Sequence, residues 1–471
     1  MKKAVLLVFF LSACGGEALQ QPDIPKAENY TPAPVTEERL APGKDVPAEW
    51  WKLFRSPELD RLVREALEAS PTLARASAKL RQSQEDLSAR QGGTQLPKVD
   101  AKLSANRIDV NPQSLGVQQL PINTPFNLYL ASIGVSYTLD LFGANRRELE
   151  ALQSGVDYQR YELEAARLML AGNVVTAAIR EASLREQIST TEDMIALHAR
   201  QLAIVERLET IGTASRADVV TQRLELAQAR ALLPELERQL EQVRHRLATL
   251  TGRLPGAAAQ LPQFRLAELQ LPAELPLGVP SELARRRPDI RGAEALLLQA
   301  AARVGVATAN LYPQLTLTAT FGSLASSGGD LLGPGTGFYL LGASLAQPIF
   351  HGGELQAKRR AAVAAYEQAG AAYKEVVLQG FQNVADALRA LEADQKKLAE
   401  RGDAAAQARA YRDIVAARYK SGAVSYYTLT EAQRRLHQAL LERTQASADR
   451  YADSAALFQA LGGGWWQAAD K

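Results

Sequence analysis

One helix–turn–helix segment occurs twice in this chain, about 210 residues apart. The first copy runs from Glu206 to Gln228 (ERLETIGTASRADVVTQRLELAQ) and turns at Gly212. The second runs from Ala417 to Leu436 (ARYKSGAVSYYTLTEAQRRL) and turns at Gly422. A glycine that ends one helix and a serine that precedes the next are typical of helix C-caps and N-caps. Two such hairpins in one chain predict an internal tandem repeat.

Other landmarks recur in the same order and support the repeat. The pairs are Pro71 with Pro288, Pro97 with Pro313, and Phe142 with Phe350. The separation in sequence between the two members of a pair is shorter for the third pair than for the second. The two copies therefore differ in length in the loop between their strands, which covers 322–337 in the second copy, and loops tolerate such differences. We therefore expect repeat 1 over residues 51–255, a linker over 256–280, repeat 2 over 281–464 and a C-terminal tail over 465–471.

Two very long helices dominate the predicted secondary structure. Helical periodicity is uninterrupted over about 144–210 and 354–420, so each helix is about 100 Å long at 1.5 Å per residue. Apolar residues recur every three or four positions along them, which favours helix-on-helix packing in a coiled coil. Shorter helices, which can flank the long ones end to end, are predicted over about 56–91 (with a break at Pro71), 215–251, 281–311 and 425–460.

Four segments alternate apolar and polar residues with the period of two that indicates β-strands. They begin near Pro97, Tyr129, Pro313 and Gly337, and each is about ten residues long. This pattern suits tilted strands of a membrane barrel, with small polar residues facing the lumen. Those residues are Ser132, Ser136, Thr316 and Thr318. Four strands cannot close and open edges are not viable in lipid, so three copies, with twelve strands, are expected to form the barrel. A soluble four-stranded sheet is the alternative.

The N-terminus has the pattern of an export signal. Lys2 and Lys3 precede an apolar run that is too short to span a bilayer, and Leu-Ser-Ala then leads to Cys14, the one cysteine of the chain. This pattern resembles a bacterial lipobox, which implies a signal peptide over 1–13 and lipid modification of Cys14. The proline-rich residues 14–50 are then an extended, lipid-anchored leader.

Composition argues against several classes of function. The formal net charge is +2 with no evident basic patch, so a nucleic-acid partner is not expected. The four histidines are far apart in sequence, lack carboxylates or thiols at ligand spacing, and are expected at the surface. The chain has no glycine-rich phosphate-binding loop. We therefore expect no enzyme, no catalytic residue, no metal and no cofactor.

Several motifs together carry a family resemblance. They are Trp50-Trp51-Lys52-Leu53-Phe54, Arg286-Arg287-Pro288-Asp289-Ile290-Arg291, Pro348-Ile349-Phe350 with Gly352-Gly353, and Ala417-Arg418-Tyr419 with Gly422 and Ala432-Gln433-Arg434. In this order they resemble TolC-like outer-membrane efflux proteins of the NodT-type lipoprotein branch. The resemblance implies a membrane α+β fold: a homotrimeric twelve-stranded β-barrel continuous with a periplasmic α-helical coiled-coil barrel. It also implies a periplasmic adaptor and an inner-membrane RND-type transporter as partners.

The same resemblance assigns roles to the hairpin tips. Tyr427 and Glu431 occupy positions where relatives constrict the periplasmic mouth, and a ring of three carboxylates there is expected to favour cations. Asp218 and Tyr419 are expected to form a hydrogen bond that ties the tips closed. Relatives can carry an arginine in this lock where the chain has Val424. The adaptor is expected to dock on small tip residues, which are Gly212, Thr213, Ala214, Ser215, Gly422, Ala423 and Ser425.

These observations favour a passive exit duct for drugs or other small molecules, lipid-anchored in the outer membrane of a Gram-negative bacterium. Two alternatives remain. The first is the exit duct of a type I protein-secretion system, which needs the same architecture. The second is a structural coiled-coil lipoprotein without a pore. The sequence does not identify the transported substrate.

Overall fold

The computed structural model describes residues 29–36, 39–109 and 125–469. Its helices are α1 (Pro57–Ala69), α2 (Pro71–Gln95), α3 (Ala144–Thr210), α4 (Arg216–Leu250), α5 (Pro280–Arg286), α6 (Pro288–Ala309), α7 (Glu354–Lys420), α8 (Tyr426–Ala460) and α9 (Trp466–Ala469). Its strands are β1 (Leu40–Pro42), β2 (Lys98–Ile108), β3 (Phe126–Leu139), β4 (Leu275–Leu277), β5 (Gln314–Ala325) and β6 (Gly337–Ala346). The predicted signal peptide and Cys14 lie outside the described residues.

The two halves of the chain present the same order of elements. Each has a pair of helices, two strands, a 67-residue helix and a 35-residue helix. The two long helices predicted from periodicity are confirmed. The single helix expected over 281–311 is wrong, because α5 ends at Arg286 and α6 begins at Pro288. Proline disfavours the helical conformation of the residue before it, and Arg287 is extended with ψ 126°.

The described residues form two compact units, and each unit contains parts of both halves. The first unit contains the described residues of Lys79–Gln159 and Ala293–Tyr373. The second contains those of Ile24–Ala78, Arg160–Gly292 and Lys374–Lys471. No helix within the described residues is long and apolar enough to cross a bilayer.

The first unit contains an antiparallel sheet in the order β2-β3-β5-β6. Its register places apolar residues opposite one another on one face. One such row consists of Ala101, Ile133, Phe321 and Tyr339; the next consists of Val99, Val135, Ala319 and Leu341. On the opposite face the row of Lys98, Ser136, Thr318 and Gly342 is polar or small. Strands β2 and β6 are the edges of the sheet in this chain.

Aromatic residues form much of the core of the second unit. Trp50 and Phe54 are buried against Phe458 of α8, with ring centroids 5.6 and 6.4 Å away. The N-terminal residues are held to this unit by β1, which pairs in parallel with β4. The segment preceding α1 is therefore packed on the second unit along the part the structure describes.

Two buried acids in the second unit differ in how they are compensated. Glu181 of α3 is fully buried and accepts hydrogen bonds from Arg185 at 2.8 Å and from Arg244 of α4 at 2.7 Å. Asp394 of α7 is also buried, and it lies beside a second acid rather than an arginine. One carboxylate oxygen of Glu181 and one of Asp394 have no hydrogen-bond partner among the described residues. Burial, followed by the neighbouring Asp453 of α8, raises the pKa of Asp394.

Candidate functional site

Both hairpin turns have the same backbone geometry. Gly212 and Gly422 have φ of 77° and 75°, in the left-handed region that glycine adopts at low cost. In the first turn, the Thr213 and Gly212 N–H groups donate to the carbonyls of Leu208 and Glu209, each at 2.9 Å. The Ala423 and Gly422 N–H groups make the same pair of bonds in the second. These are Schellman motifs, which satisfy the last carbonyls of α3 and α7.

Serine begins the second helix of each hairpin. The Ser215 hydroxyl accepts a hydrogen bond from the Asp218 N–H at 3.2 Å, and Ser425 accepts one from the Thr428 N–H at 3.4 Å. Asp218 in turn accepts from the Ser215 N–H at 2.9 Å, which completes a capping box. Ser215 and Ser425, the serines expected before α4 and α8, are therefore the N-caps of these helices. Docking of an adaptor at these residues stays a prediction.

An apolar cluster joins the two hairpins just behind their turns. Its buried members come from all four helices and are Val205, Val219, Val415, Tyr426, Leu429 and Ala432. Val424 packs against this cluster, as does Ala214 of the other turn. Val424 therefore makes a hydrophobic contact at the position where relatives can carry an arginine.

Next to this cluster lies a buried polar network. Gln222 of α4 is fully buried, donates to the His198 carbonyl at 2.9 Å and accepts a hydrogen bond from the Tyr426 hydroxyl. The His198 ring lies 3.0 Å from the Gln222 amide nitrogen, and the His437 ring lies 3.3 Å from the Thr191 hydroxyl. The network therefore connects α3 and α4 of the first hairpin with α8 of the second.

The prediction of surface histidines is wrong for His198 and His437. Both are buried, and burial lowers the pKa of each, so both favour the neutral form. The nearby His198 lowers the pKa of His437 further. Each histidine occupies a core-facing position of its helix, where its ring nitrogens find polar partners. Among the described residues, no three His, Cys, Asp or Glu side chains are placed to hold a metal ion.

The predicted lock residues lie near each other without a direct hydrogen bond. Asp218 accepts from both the N–H and the hydroxyl of Ser215, at 2.9 and 2.7 Å. The ring of Tyr419 packs against that of Tyr426 with centroids 5.5 Å apart. Partial burial, followed by the charge of Asp218, raises the pKa of Tyr419. Tyr419 is therefore protonated and within electrostatic reach of Asp218, and the lock itself stays a prediction.

The predicted gate residues share one exposed face of α8. Tyr427 is 69% exposed, and Glu431 follows one turn later, opposite the buried face formed by Tyr426, Leu429 and Gln433. Glu431 is bound by two arginines of its own helix, Arg434 at 2.9 Å and Arg435 at 2.8 Å. Hydrogen bonds from Arg435 and then Arg434 lower the pKa of Glu431. The carboxylate is ionised and compensated by Arg434 and Arg435, which are not among the predicted gate residues.

Comparisons with known proteins agree with this arrangement. A family model for outer membrane efflux proteins matches residues 62–253 and 279–463. The chain is 33% identical to the pyoverdine export outer membrane protein OpmQ of Pseudomonas putida, over 88% of each chain. It is 29% identical to the solvent efflux pump outer membrane protein SrpC of Pseudomonas putida, over 88% of this chain and 87% of SrpC. The solved outer-membrane channel OprN matches with a TM-score of 0.85 and 27% identity, over 95% of this chain and 99% of OprN. The chain belongs to the outer membrane efflux protein family.

Proposed function

We propose that this chain is the outer-membrane channel of an efflux system, a passive duct through which small molecules leave the cell. One observation carries the proposal: the four-stranded sheet presents an apolar face to solvent and has two open edges. Ile133 and Phe321, at the centre of that face, are each 53% exposed. In water, the unpaired backbone N–H and C=O groups of such edges bind strands of other molecules and promote aggregation. In lipid, the same groups have no hydrogen-bond partners, which is also unfavourable.

A trimer removes this difficulty. Strand β2 of one copy would pair with β6 of the next, and three sheets would close into a twelve-stranded barrel with the apolar face towards lipid. The polar face, with Ser136 and Thr318, would then line a wet lumen. Cys14 would anchor the leader of each copy in the same outer membrane through its lipid.

We assign the partners from the family and the tips. The relative OpmQ is named as an outer membrane protein of pyoverdine export, and SrpC as the outer membrane protein of a solvent efflux pump. Because the chain has no phosphate-binding loop, the driving energy is assigned to an inner-membrane RND-type transporter, connected by a periplasmic adaptor. The exposed turns around Gly212 and Gly422 would receive the adaptor, with Tyr427 and Glu431 narrowing the mouth behind them.

The test is ion conductance of the purified, full-length protein in planar lipid bilayers, with its mass in detergent measured by light scattering. A trimeric mass and discrete ion currents are the expected result. A monomer, or a trimer that produces no current, would refute the duct and favour a structural coiled-coil lipoprotein. In cells, palmitate labelling that is lost in Cys14→Ala tests the anchor separately.

The assignment of gate and lock is tested by single substitutions in the same bilayers. Asp218→Ala should raise the open probability if Asp218 helps to tie the tips closed, and Tyr427→Ala should widen the mouth and raise the single-channel conductance. Gln438→Ala, on the same exposed face of α8 but three turns beyond Tyr427, is the matched control. Unchanged currents in both test variants would remove these residues from the gate.

A further inference from the structure

The charge at the second hairpin tip has the opposite sign from that expected of a carboxylate ring. Residues 409–435 contain six arginines and lysines but only two acids. The basic residues are Arg409, Arg412, Arg418, Lys420, Arg434 and Arg435, and the acids are Asp413 and Glu431. The equivalent stretch of the first hairpin, residues 199–225, is balanced, with four basic and four acidic residues. The excess of positive charge therefore belongs to one tip.

Both acids of the second tip are already paired. Asp413 lies 2.7 Å from Arg412, and Glu431 is bound by Arg434 and Arg435. Glu431 is 24% exposed, whereas Arg434 and Arg435 are 59% and 62% exposed. The two guanidinium groups thus cover the Glu431 carboxylate on its solvent side. The cluster of these three side chains has a net positive charge.

The remaining basic residues of this tip add to the same field. Arg409, Arg418 and Lys420 are exposed, and none of them makes an ion pair with another described residue. Residues three and four apart lie on one helix face, so Arg434 and Arg435 share the face of Glu431 and Tyr427. Wherever that face lines the mouth, the arginines line it too.

We propose that the periplasmic mouth of this duct prefers anions, and that its substrates are small molecules that carry negative charge. Three copies would place three Arg434–Glu431–Arg435 clusters around the mouth. Like charges that line a narrow opening concentrate ions of the opposite sign there. The inference rests on the proposed duct and deepens it, because it gives the class of substrate.

The measurement is the zero-current potential of the wild-type protein in a planar bilayer between unequal concentrations of KCl. A chloride-to-potassium permeability ratio above one is expected. The preference should weaken as salt is raised, because the screening length falls from about 10 Å at 0.1 M to about 3 Å at 1 M. A wild-type channel that prefers potassium overturns the inference but leaves the duct intact. The absence of any current refutes both.

Paired variants assign the preference to these side chains. Arg434→Gln/Arg435→Gln leaves Glu431 uncompensated and should lower the permeability ratio by roughly an order of magnitude. Arg434→Lys/Arg435→Lys keeps the charge and should keep the preference. The control is Arg238→Gln/Arg246→Gln, which removes two exposed arginines of α4. Arg238, the nearer of the two, lies about 33 Å along the helix from the tip. An equal shift in the control and the test pair would overturn the assignment.

Discussion

The hydrogen bond between Gln222 and Tyr426 is predicted to make the two hairpins open together. It joins α4 of the first hairpin to α8 of the second, and both residues are buried. Gln222→Met keeps a similar unbranched shape but leaves the Tyr426 hydroxyl and the His198 carbonyl without this partner. A buried polar group left unpaired costs about 1–3 kcal/mol.

Tyr426→Phe removes the other partner and leaves the Gln222 carbonyl oxygen unpaired. The Tyr426 hydroxyl also lies 3.4 Å from Gln201, a contact too long to replace the bond to Gln222. The double variant loses donor and acceptor together, so its cost should be smaller than the sum of the single costs. We expect a coupling energy of about 1–2 kcal/mol between Gln222 and Tyr426.

Hydrogen–deuterium exchange, followed by mass spectrometry of peptides that contain each turn, measures this coupling. Either single variant should speed exchange at both Gly212 and Gly422, by about tenfold for each 1.4 kcal/mol. Gln438→Met, the same substitution at an exposed position of α8, should change neither. Faster exchange confined to the mutated hairpin, or costs that simply add in the double variant, would refute the coupling.

Three further predictions concern stability. Glu181→Ala leaves buried arginine charge uncompensated and should cost about 3–5 kcal/mol in urea unfolding. Glu235→Ala, which breaks a solvent-exposed pair, should change the free energy of unfolding far less. Burial lowers the pKa of His198 and His437, so the unfolded chain binds more protons below its own histidine pKa of about 6.5. Wild-type stability should therefore fall as pH drops below that value, and His198→Gln/His437→Gln should flatten this part of a melting-temperature profile. Asp394→Asn should stabilise the fold at neutral pH by about 1–3 kcal/mol, because the raised pKa means that ionised Asp394 is unfavourable in the folded state. This gain should vanish near pH 4, and a gain that persists there would contradict the reason given.

The long helices could be predicted closely because their ends carry local signals. Gly212 and Gly422 mark C-termini by the conformation they adopt, and Ser215 and Ser425 mark the N-termini that follow. The break before Pro288 was available from the same reasoning, because Pro71 at the equivalent position interrupts the first half. A single helix over 281–311 is disfavoured because Pro288 restricts the backbone conformation of Arg287, the residue before it.

The buried histidines could not be recognised from composition, but helix periodicity contains the signal. Thr191, His198 and Val205 are separated by seven residues each, and all three are buried on one face of α3. Gln222 likewise lies between Val219 and Leu226 on the buried face of α4. A polar residue at a core-facing position needs a partner, and which residue supplies it depends on how the helices pack. The pairing of Gln222 with Tyr426 therefore required the structure.

The repeat preserves the backbone of the tips while their exposed side chains have diverged. At equivalent positions the first hairpin has Ala217 and Thr221 where the second has the gate candidates Tyr427 and Glu431. Leu224 and Glu225 likewise correspond to Arg434 and Arg435. In the proposed trimer, neutral and positive tips would alternate around the mouth. Only the second hairpin then supplies the aromatic ring and the net charge that meet a substrate, which leaves the first free to serve a partner that recognises a tip of balanced charge.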